Sequence, residues 1–252
     1  MSASTLQAFD AVAQNIPTIS VAAIFQKDPQ VFLAHPNQGI NTFLDLKKLT
    51  LFVSKEGVAT YFQWMKREFG FREEQVKPYT FNAQPFLADK RSAMQGYVSS
   101  EPFAVERQGK FKPKIFLLAD QGFASYSTLI ETRRDLVEKN PSLVQRFVNA
   151  SIIGWYNYLY RDNKAANDLI KRDNPEITDD LLAYSRDAMI ENFIVDFGVT
   201  RTSGIGSITD EHIKSFYDQM VRAGVVKAGL DYGKSYTSQF VNKGGGKELR
   251  PK

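Results

Sequence analysis

Cysteine is absent from the chain, which excludes disulfides, thiolate metal sites and cysteine nucleophiles together and fits either an oxidising or a reducing compartment. Histidine occurs only twice. His35 and His212 have no Asp, Cys or His at ligand or triad spacing, so no metal site and no catalytic triad is expected, and no cofactor. No apolar run approaches the ~20 residues that span a bilayer, so no membrane insertion is expected. Basic and acidic residues number 32 and 28 and are scattered, without a dense Lys/Arg block beyond the mild K-x-K between Lys110 and Lys114. Nucleic acid is therefore not an expected partner. The opening residues carry neither the basic n-region nor the apolar h-region of a signal peptide.

What is present is ordinary globular composition, 43% hydrophobic and 24% charged over 252 residues, enough for one large domain or two lobes. The central stretch is TLFVSKEGVATYFQWM, Thr50 to Met65. Leu51 to Val53 reads as a strand, Ser54-Lys55-Glu56-Gly57 breaks it, and Val58, Tyr61, Phe62 and Met65 continue at helical spacing. A strand-to-helix turn of this kind places backbone N–H groups at the carboxyl end of a strand, where open α/β sheets bind ligands. The plainer reading makes Ser54 an N-cap and Gly57 a turn glycine.

Around it, the pattern predicts a helix over Leu6 to Gln14, strands over Thr18 to Phe25 and Val31 to Ala34, and a short helix over Phe43 to Lys48. Further on it predicts a strand over Val76 to Phe81, a helix over Ala83 to Met94, a strand over Tyr97 to Ser100, a helix near Phe103 to Gln108 and a strand over Lys114 to Ala119. This alternation points to a mainly parallel sheet covered on both faces. After a last strand over Thr128 to Glu131 the chain is expected to be helical: Arg133 to Glu138, Leu143 to Tyr160, Ala165 to Arg172, Asp179 to Glu191 and Asp210 to Ala223. The tail from Lys243 to Lys252, rich in Gly and Lys, is expected to fray.

Four pieces carry a resemblance that covers essentially the whole chain: LQAFDAVAQNIP before a strand, the SKEG turn, GYVSSEP, and ETRRDLVEKNPSLVQRFVNASIIGW. Together they resemble solute-binding proteins of ABC importers in the nitrate/sulfonate/taurine and thiamine-pyrimidine-precursor branch. The resemblance implies an α/β fold of the type II periplasmic-binding-protein kind, two lobes with a hinge and a small-molecule ligand in the inter-lobe cleft. It implies lobe two over residues 35–118, with lobe one formed by 1–34 and 119–252, incomplete and helix-rich. Family members carry a signal peptide and several β/α units ahead of the point where this chain starts, so the chain is expected to be N-terminally truncated, with bare apolar faces and poor solubility or dimerisation. The resemblance implies the periplasm, or the cytoplasm if the chain is translated as given, and an ABC transporter permease as partner.

On that mapping Ser54, Glu56 and Gly57 gain a ligand-binding role, and Tyr61 could stack on a planar ligand, against the alternative that it is core. Ser99, Ser100 and Glu101 end another strand of the same lobe. A carboxylate at Glu101 would accept hydrogen bonds from ring N–H groups and repel nitrate or sulfonate, which favours a pyrimidine-like ligand; the alternative is that Glu101 only caps the helix begun by Pro102. From lobe one, Thr5, Gln26 and Tyr126 are candidates, with Ser4, Ser125 and Ser127 beside them. The aromatic cluster Trp155, Tyr156, Tyr158 and Tyr160 reads as packing, and Gly204 to Gly206 as a loop without the features of a phosphate loop. A thiamine-pyrimidine synthase of the same fold uses a cysteine-rich iron motif that this chain lacks, and a regulator's sensing domain would bring a helix-turn-helix segment that is not seen here.

Overall fold

The computed structural model describes residues 2–251, with Met1 and Lys252 outside it. The chain clusters into two compact units, residues 1–28, 124–217 and 228–252 in unit 1 and residues 29–123 and 218–227 in unit 2. Unit 1 opens with β1 (Ser2–Ser4), α1 (Thr5–Ala13) and β2 (Thr18–Phe25). The chain then builds unit 2 from β3 (Gln30–Ala34), β4 (Thr50–Val53), α2 (Lys55–Ala59), α3 (Tyr61–Phe69) and β5 (Val76–Pro78). It continues there through α4 (Gln84–Ala88), β6 (Ser92–Tyr97), α5 (Glu101–Gly109) and β7 (Lys114–Leu117). Back in unit 1 come β8 (Ser127–Arg133), α6 (Arg134–Lys139), α7 (Pro141–Tyr160), α8 (Lys164–Asp173), α9 (Asp179–Glu191) and α10 (Thr200–Ser203). The last helix, α11 (Asp210–Arg222), runs through the 217/218 boundary.

Unit 2 holds a five-stranded sheet in the order β5-β4-β6-β3-β7. Two of its three interior strands explain their own sequences. Every residue of β3, QVFLA, is buried, and so are five of six in β6, SAMQGY, because helices and loops cover both faces and leave no solvent side to be polar. The sheet is mixed, contrary to the mainly parallel expectation. β4 is parallel to β5 and β6, whereas β3 runs antiparallel to β6 and β7. Trp64, Phe62, Met65, Leu33 and Phe86 fill the interior, each contributing about 1.5–3 kcal/mol relative to exposure.

Three element assignments change here. The strand expected to reach Phe81 stops at Pro78; Tyr79 N–H still bonds the Val53 carbonyl, and the positive φ of Phe81 then turns the chain out of the extended conformation. The helix expected over Ala83 to Met94 is one turn and a half, Gln84–Ala88, and Ser92 to Met94 already belong to β6. The turn is set by Asp89, whose carboxylate accepts from Arg91 N–H at 2.9 Å and whose carbonyl accepts from the Ser92 hydroxyl at 2.6 Å. The strand expected over Tyr97 to Ser100 is therefore displaced, and Val98 to Ser100 form a turn.

In unit 1, β8 lies between β1 and β2 and is antiparallel to both, with a bulge in β2 between Ser20 and Ala22. Helix α7 begins two residues earlier than its apolar pattern suggests: Pro141 occupies the first turn and the Asn140 side chain accepts from Leu143 N–H at 3.2 Å. Val144, Val148, Ile152, Tyr156 and Leu159 give it a single buried face at three-to-four spacing. Phe9 packs on Phe216 and Tyr217 with ring centroids 6.2 and 5.9 Å apart, joining α1 to α11.

The C-terminal residues are docked and not frayed. Gly244 N–H donates to the Ser203 carbonyl at 2.9 Å, and Lys247 Nζ to that of Thr202 at 2.6 Å. Arg250 forks onto Asp196, Nε to Oδ2 at 2.6 Å and Nη2 to Oδ1 at 2.7 Å. That carboxylate, with its side chain 2% exposed, also accepts from the Tyr160 and Thr200 hydroxyls at 2.9 and 2.8 Å. Burial alone would raise the Asp196 pKa, but these hydrogen bonds together with the Arg250 charge hold it below the usual carboxylate value. Burial and the neighbouring Asp196 push the Tyr160 hydroxyl up to about 12.

Candidate functional site

The parallel pair β4 and β6 brings two strand-to-helix transitions to one edge of the unit 2 sheet, because parallel neighbours end on the same side. After β4 the chain turns at Ser54, an extended residue whose Oγ accepts from Gly57 N–H at 3.1 Å and so caps α2. The SKEG turn is thus a strand-to-helix turn with Ser54 outside the helix. Gly57 itself falls inside the short α2, and its reason is closeness. A Cβ there would lie 2.4 Å from the Tyr61 hydroxyl and 2.8 Å from a Val53 methyl.

After β6 the chain turns through Val98 to Ser100 into α5. Glu101 closes this turn: its Oε2 accepts from Tyr97 N–H at 2.7 Å and from the Ser100 hydroxyl at 2.5 Å. The carboxylate thus reaches back over the turn as well as standing in the first turn of the helix. Gly96 makes room for it, since a Cβ at that position would meet Glu101 Cβ at 2.6 Å.

Gln95 ties the two transitions together and was not a candidate from sequence. Its Oε1 accepts from Ser54 N–H at 2.6 Å and from the Tyr61 hydroxyl at 2.7 Å. The only signal for it was a polar residue between apolar ones in SAMQGY, and it fell in the gap between a helix expected to end at Met94 and a strand expected to begin at Tyr97, whereas β6 spans both. Tyr61 is 6% exposed, with its ring edge-on to Phe32 and Phe123 at 6.1 and 6.4 Å. Its ring is therefore embedded beneath the edge. Glu56 is exposed, Ser100 and Glu101 are half-buried, and Ser54 and Gly57 are buried. The carboxylates are the reachable groups of this set.

A third loop leaves the same edge after β5, which is parallel to β4. Tyr79 N–H donates to the Val53 carbonyl at 3.0 Å, placing Tyr79 beside the start of the SKEG turn. Burial raises the Tyr79 pKa, and the negative charge of Glu101 raises it further. Phe81 packs on Tyr79 with ring centroids 5.4 Å apart.

In unit 1 the structure brings Thr5 and Tyr126 together and keeps both buried. The Tyr126 carbonyl accepts from Thr5 N–H at 3.1 Å, from Thr5 Oγ1 at 3.2 Å and from Ser125 Oγ at 2.8 Å. The Tyr126 ring stacks on His212 at 3.9 Å. Burial pushes His212 below its ordinary pKa, opposed by a backbone hydrogen bond with Ala124. Gln26 is held elsewhere, its Nε2 donating to the carbonyls of Ala23 at 2.8 Å and Ser207 at 3.0 Å. Among the described residues no group of three or more His, Cys, Asp or Glu could hold a metal ion, and no helix is long and apolar enough to cross a membrane.

With this geometry established, comparison with known proteins gives three results. A family model described as NMT1/THI5 like matches residues 2–166. A curated relative, the riboflavin-binding protein RibY of Chloroflexus aurantiacus, is 25% identical over 238 residues, covering 92% of this chain and 67% of RibY. Among solved structures, the alkanesulfonate-binding protein SsuA of Xanthomonas axonopodis pv. citri, bound to MOPS, superposes with a TM-score of 0.62 at 11% identity, covering 93% of this chain and 78% of that one. A putative periplasmic sulfonate-binding SsuA of Methylobacillus flagellatus gives 0.61 at 13%, covering 93% and 70%. At such identities the structural likeness carries the fold, that of the periplasmic binding proteins.

Proposed function

We propose, for a chain that belongs to the NMT1/THI5-like family, that its solute is a planar nitrogen heterocycle of the thiamine-pyrimidine-precursor kind. The chain is a solute-binding component of an ABC import system, the class named for the Methylobacillus neighbour. In this reading units 1 and 2 are its two lobes, an importer permease receives the solute, and the periplasm named for the Methylobacillus neighbour is its place of work.

One observation supports the ligand class. Each strand-to-helix transition at the unit 2 edge carries a carboxylate in the first helical turn, Glu56 in α2 and Glu101 in α5. A helix N-terminus offers partial positive charge to an anion, but here that charge already faces a carboxylate of the protein. A sulfonate or nitrate approaching the edge would meet like charge, whereas ring N–H and exocyclic amino groups would meet acceptors. Ser54, Glu56, Gly57, Ser100 and Glu101 are the proposed polar contacts, with Tyr61 supporting them from below through Gln95. Thr5, Gln26 and Tyr126 are the proposed contribution of unit 1.

A flavin is the second reading. It is favoured by RibY, whose name records riboflavin as its ligand and which matches 92% of this chain; its ring also presents an N–H to an acceptor. Calorimetric titration of the purified chain with an aminopyrimidine thiamine precursor, riboflavin and ethanesulfonate separates the possibilities. The aminopyrimidine is expected to bind tightest. Tighter binding of riboflavin selects the second reading, and tighter binding of ethanesulfonate overturns both.

A further inference from the structure

Phe81 is 75% exposed and has a φ of +60°. Its exposure alone is unremarkable in a loop, but a bulky residue with positive φ is a conformational outlier, normally held there by the surrounding structure. Phe193, the other Phe with positive φ, shows what such a reason looks like. It follows α9, where its N–H donates to the Ile190 carbonyl at 3.1 Å and the N–H of Ile194 to that of Met189 at 2.9 Å, the hydrogen-bond pair that closes a helix through one left-handed residue. Phe81 terminates no helix. It lies in the loop between β5 and α4, next to Asn82, a residue type that adopts positive φ at less cost.

The position of Phe81 is informative. The three parallel strands β5, β4 and β6 end at the same edge, and Phe81 is three residues past the end of β5. Its ring rests on Tyr79, whose N–H is bonded to the Val53 carbonyl just before the Ser54 cap, and Tyr79 feels the charge of Glu101. One face of the Tyr79–Phe81 pair is thus supported from within the unit, and the outer ring is presented to solvent on the loop that leaves the same sheet edge as the two strand-to-helix turns.

We infer that Phe81 is a ligand-stacking residue, the aromatic platform on which a planar heteroaromatic solute lies while its ring N–H groups bond to the carboxylate edge at Glu101. The inference rests on the ligand class proposed above and adds the hydrophobic contact that this class needs. Tyr61, the sequence candidate for stacking, has its ring embedded under the edge, so the stacking role passes to the loop after β5. An exposed Phe gives up its own burial in the free protein and regains it against the solute, with offset or edge-on ring contact as the favoured geometry.

The test uses the full chain and three variants: Phe81→Gly, whose backbone is at ease at positive φ, Phe81→Ala and Phe81→Tyr. Binding of the aminopyrimidine precursor and of riboflavin is measured by calorimetry, with flavin fluorescence quenching as a second readout that reports ring contact directly. For whichever heterocycle the parent binds, Phe81→Gly and Phe81→Ala are expected to weaken binding about five- to tenfold, from the strength of one aromatic contact, and to reduce the quenching of a bound flavin. Phe81→Tyr is expected to retain both, with thermal midpoints within a few degrees of the parent. Parent-like affinity in Phe81→Gly and Phe81→Ala overturns the stacking role while leaving the solute class standing. Loss of affinity in Phe81→Gly with a collapsed thermal transition overturns it too, since Phe81 would then be structural. A parent chain that binds neither heterocycle overturns the ligand class and this inference with it.

Discussion

The two units secure their buried polar groups in different ways. At the unit 2 edge, Ser54, Tyr61 and Gln95 satisfy one another beneath the surface while the carboxylates of Glu56 and Glu101 stay within reach of solvent. In unit 1 the charged pair is sealed: Asp196 is closed off by Arg250, Tyr160 and Thr200, and the carbonyl of Tyr126 by Thr5 and Ser125. On the reading proposed here, the unit 2 edge serves recognition and the Asp196 lock serves stability. Removing a lock should cost the most folding stability, and altering the edge should cost less of it and relatively more of binding.

Arg250→Ala should break the strongest lock. It leaves the buried Asp196 with only the more distant and largely exposed Arg201, 3.9 Å away, as a cation, and a loss of about 3 kcal/mol is expected by urea unfolding. The double variant Asp196→Leu with Arg250→Met should recover much of that loss, because no lone charge remains. A loss below about 1 kcal/mol for Arg250→Ala would erase the contrast between the units. Gly57→Ala comes next. The added methyl would press on the Tyr61 hydroxyl and Val53, and overpacking of this kind costs about 1–3 kcal/mol; thermal unfolding together with hydrogen exchange should place the loosening in unit 2. Ser54→Ala removes the α2 cap and should cost about 1 kcal/mol, with a larger proportional change in ligand affinity than in stability. Equal stability losses at Ser54 and Arg250 would show the edge to be as structural as the lock.

The smallest expected effect is a pH dependence in unit 1. Burial lowers the pKa of His212 from 6.5, so the unfolded chain takes up the proton first. Stability from neutral His212 is present above pH 6.5 and is lost as pH falls through 6.5 towards the depressed folded value. Urea midpoints at pH 7.5 and 5.5 should show the parent losing more stability on acidification than His212→Phe, which keeps a ring against Tyr126.

The same contrast explains what could be read in the sequence. The SKEG turn was legible because strand, cap and helix are adjacent, and Ser54 and Gly57 carry local chemistry that any surroundings would leave intact. Glu101 was legible for the same reason, although its reach back to Tyr97 was not. Gln95 was lost because SAMQGY has small residues and weak strand propensity, and only burial between β3 and β4 makes it a strand. Arg250 was unreadable because its partner lies 54 residues away and the intervening Gly- and Lys-rich stretch has the composition of a loose end. Phe81 was hidden because the expected strand ran through to its own position, whereas β5 ends at Pro78.

The strand register also bears on the order in which this protein acquires its structure on the ribosome. β2 cannot find its partner until β8 is made, about a hundred residues after Phe25. Unit 2 has all five of its strands once Leu117 has emerged, so it can form while unit 1 still waits. The pairing of Val31 with Leu117 then ties the long loop at its base, leaving only the short arms from Phe25 to Val31 and from Leu117 to Ser127 to be closed. Shortening the free loop from about 100 to about 16 residues lowers its closure cost by about 1.5 kcal/mol. The nascent five-stranded sheet thereby serves as the template that delivers β8 to β2, and a ribosome stalled a few tens of residues past β7, far enough for β7 to clear the exit tunnel, should carry a protease-resistant sheet beside a still unstructured N-terminal segment.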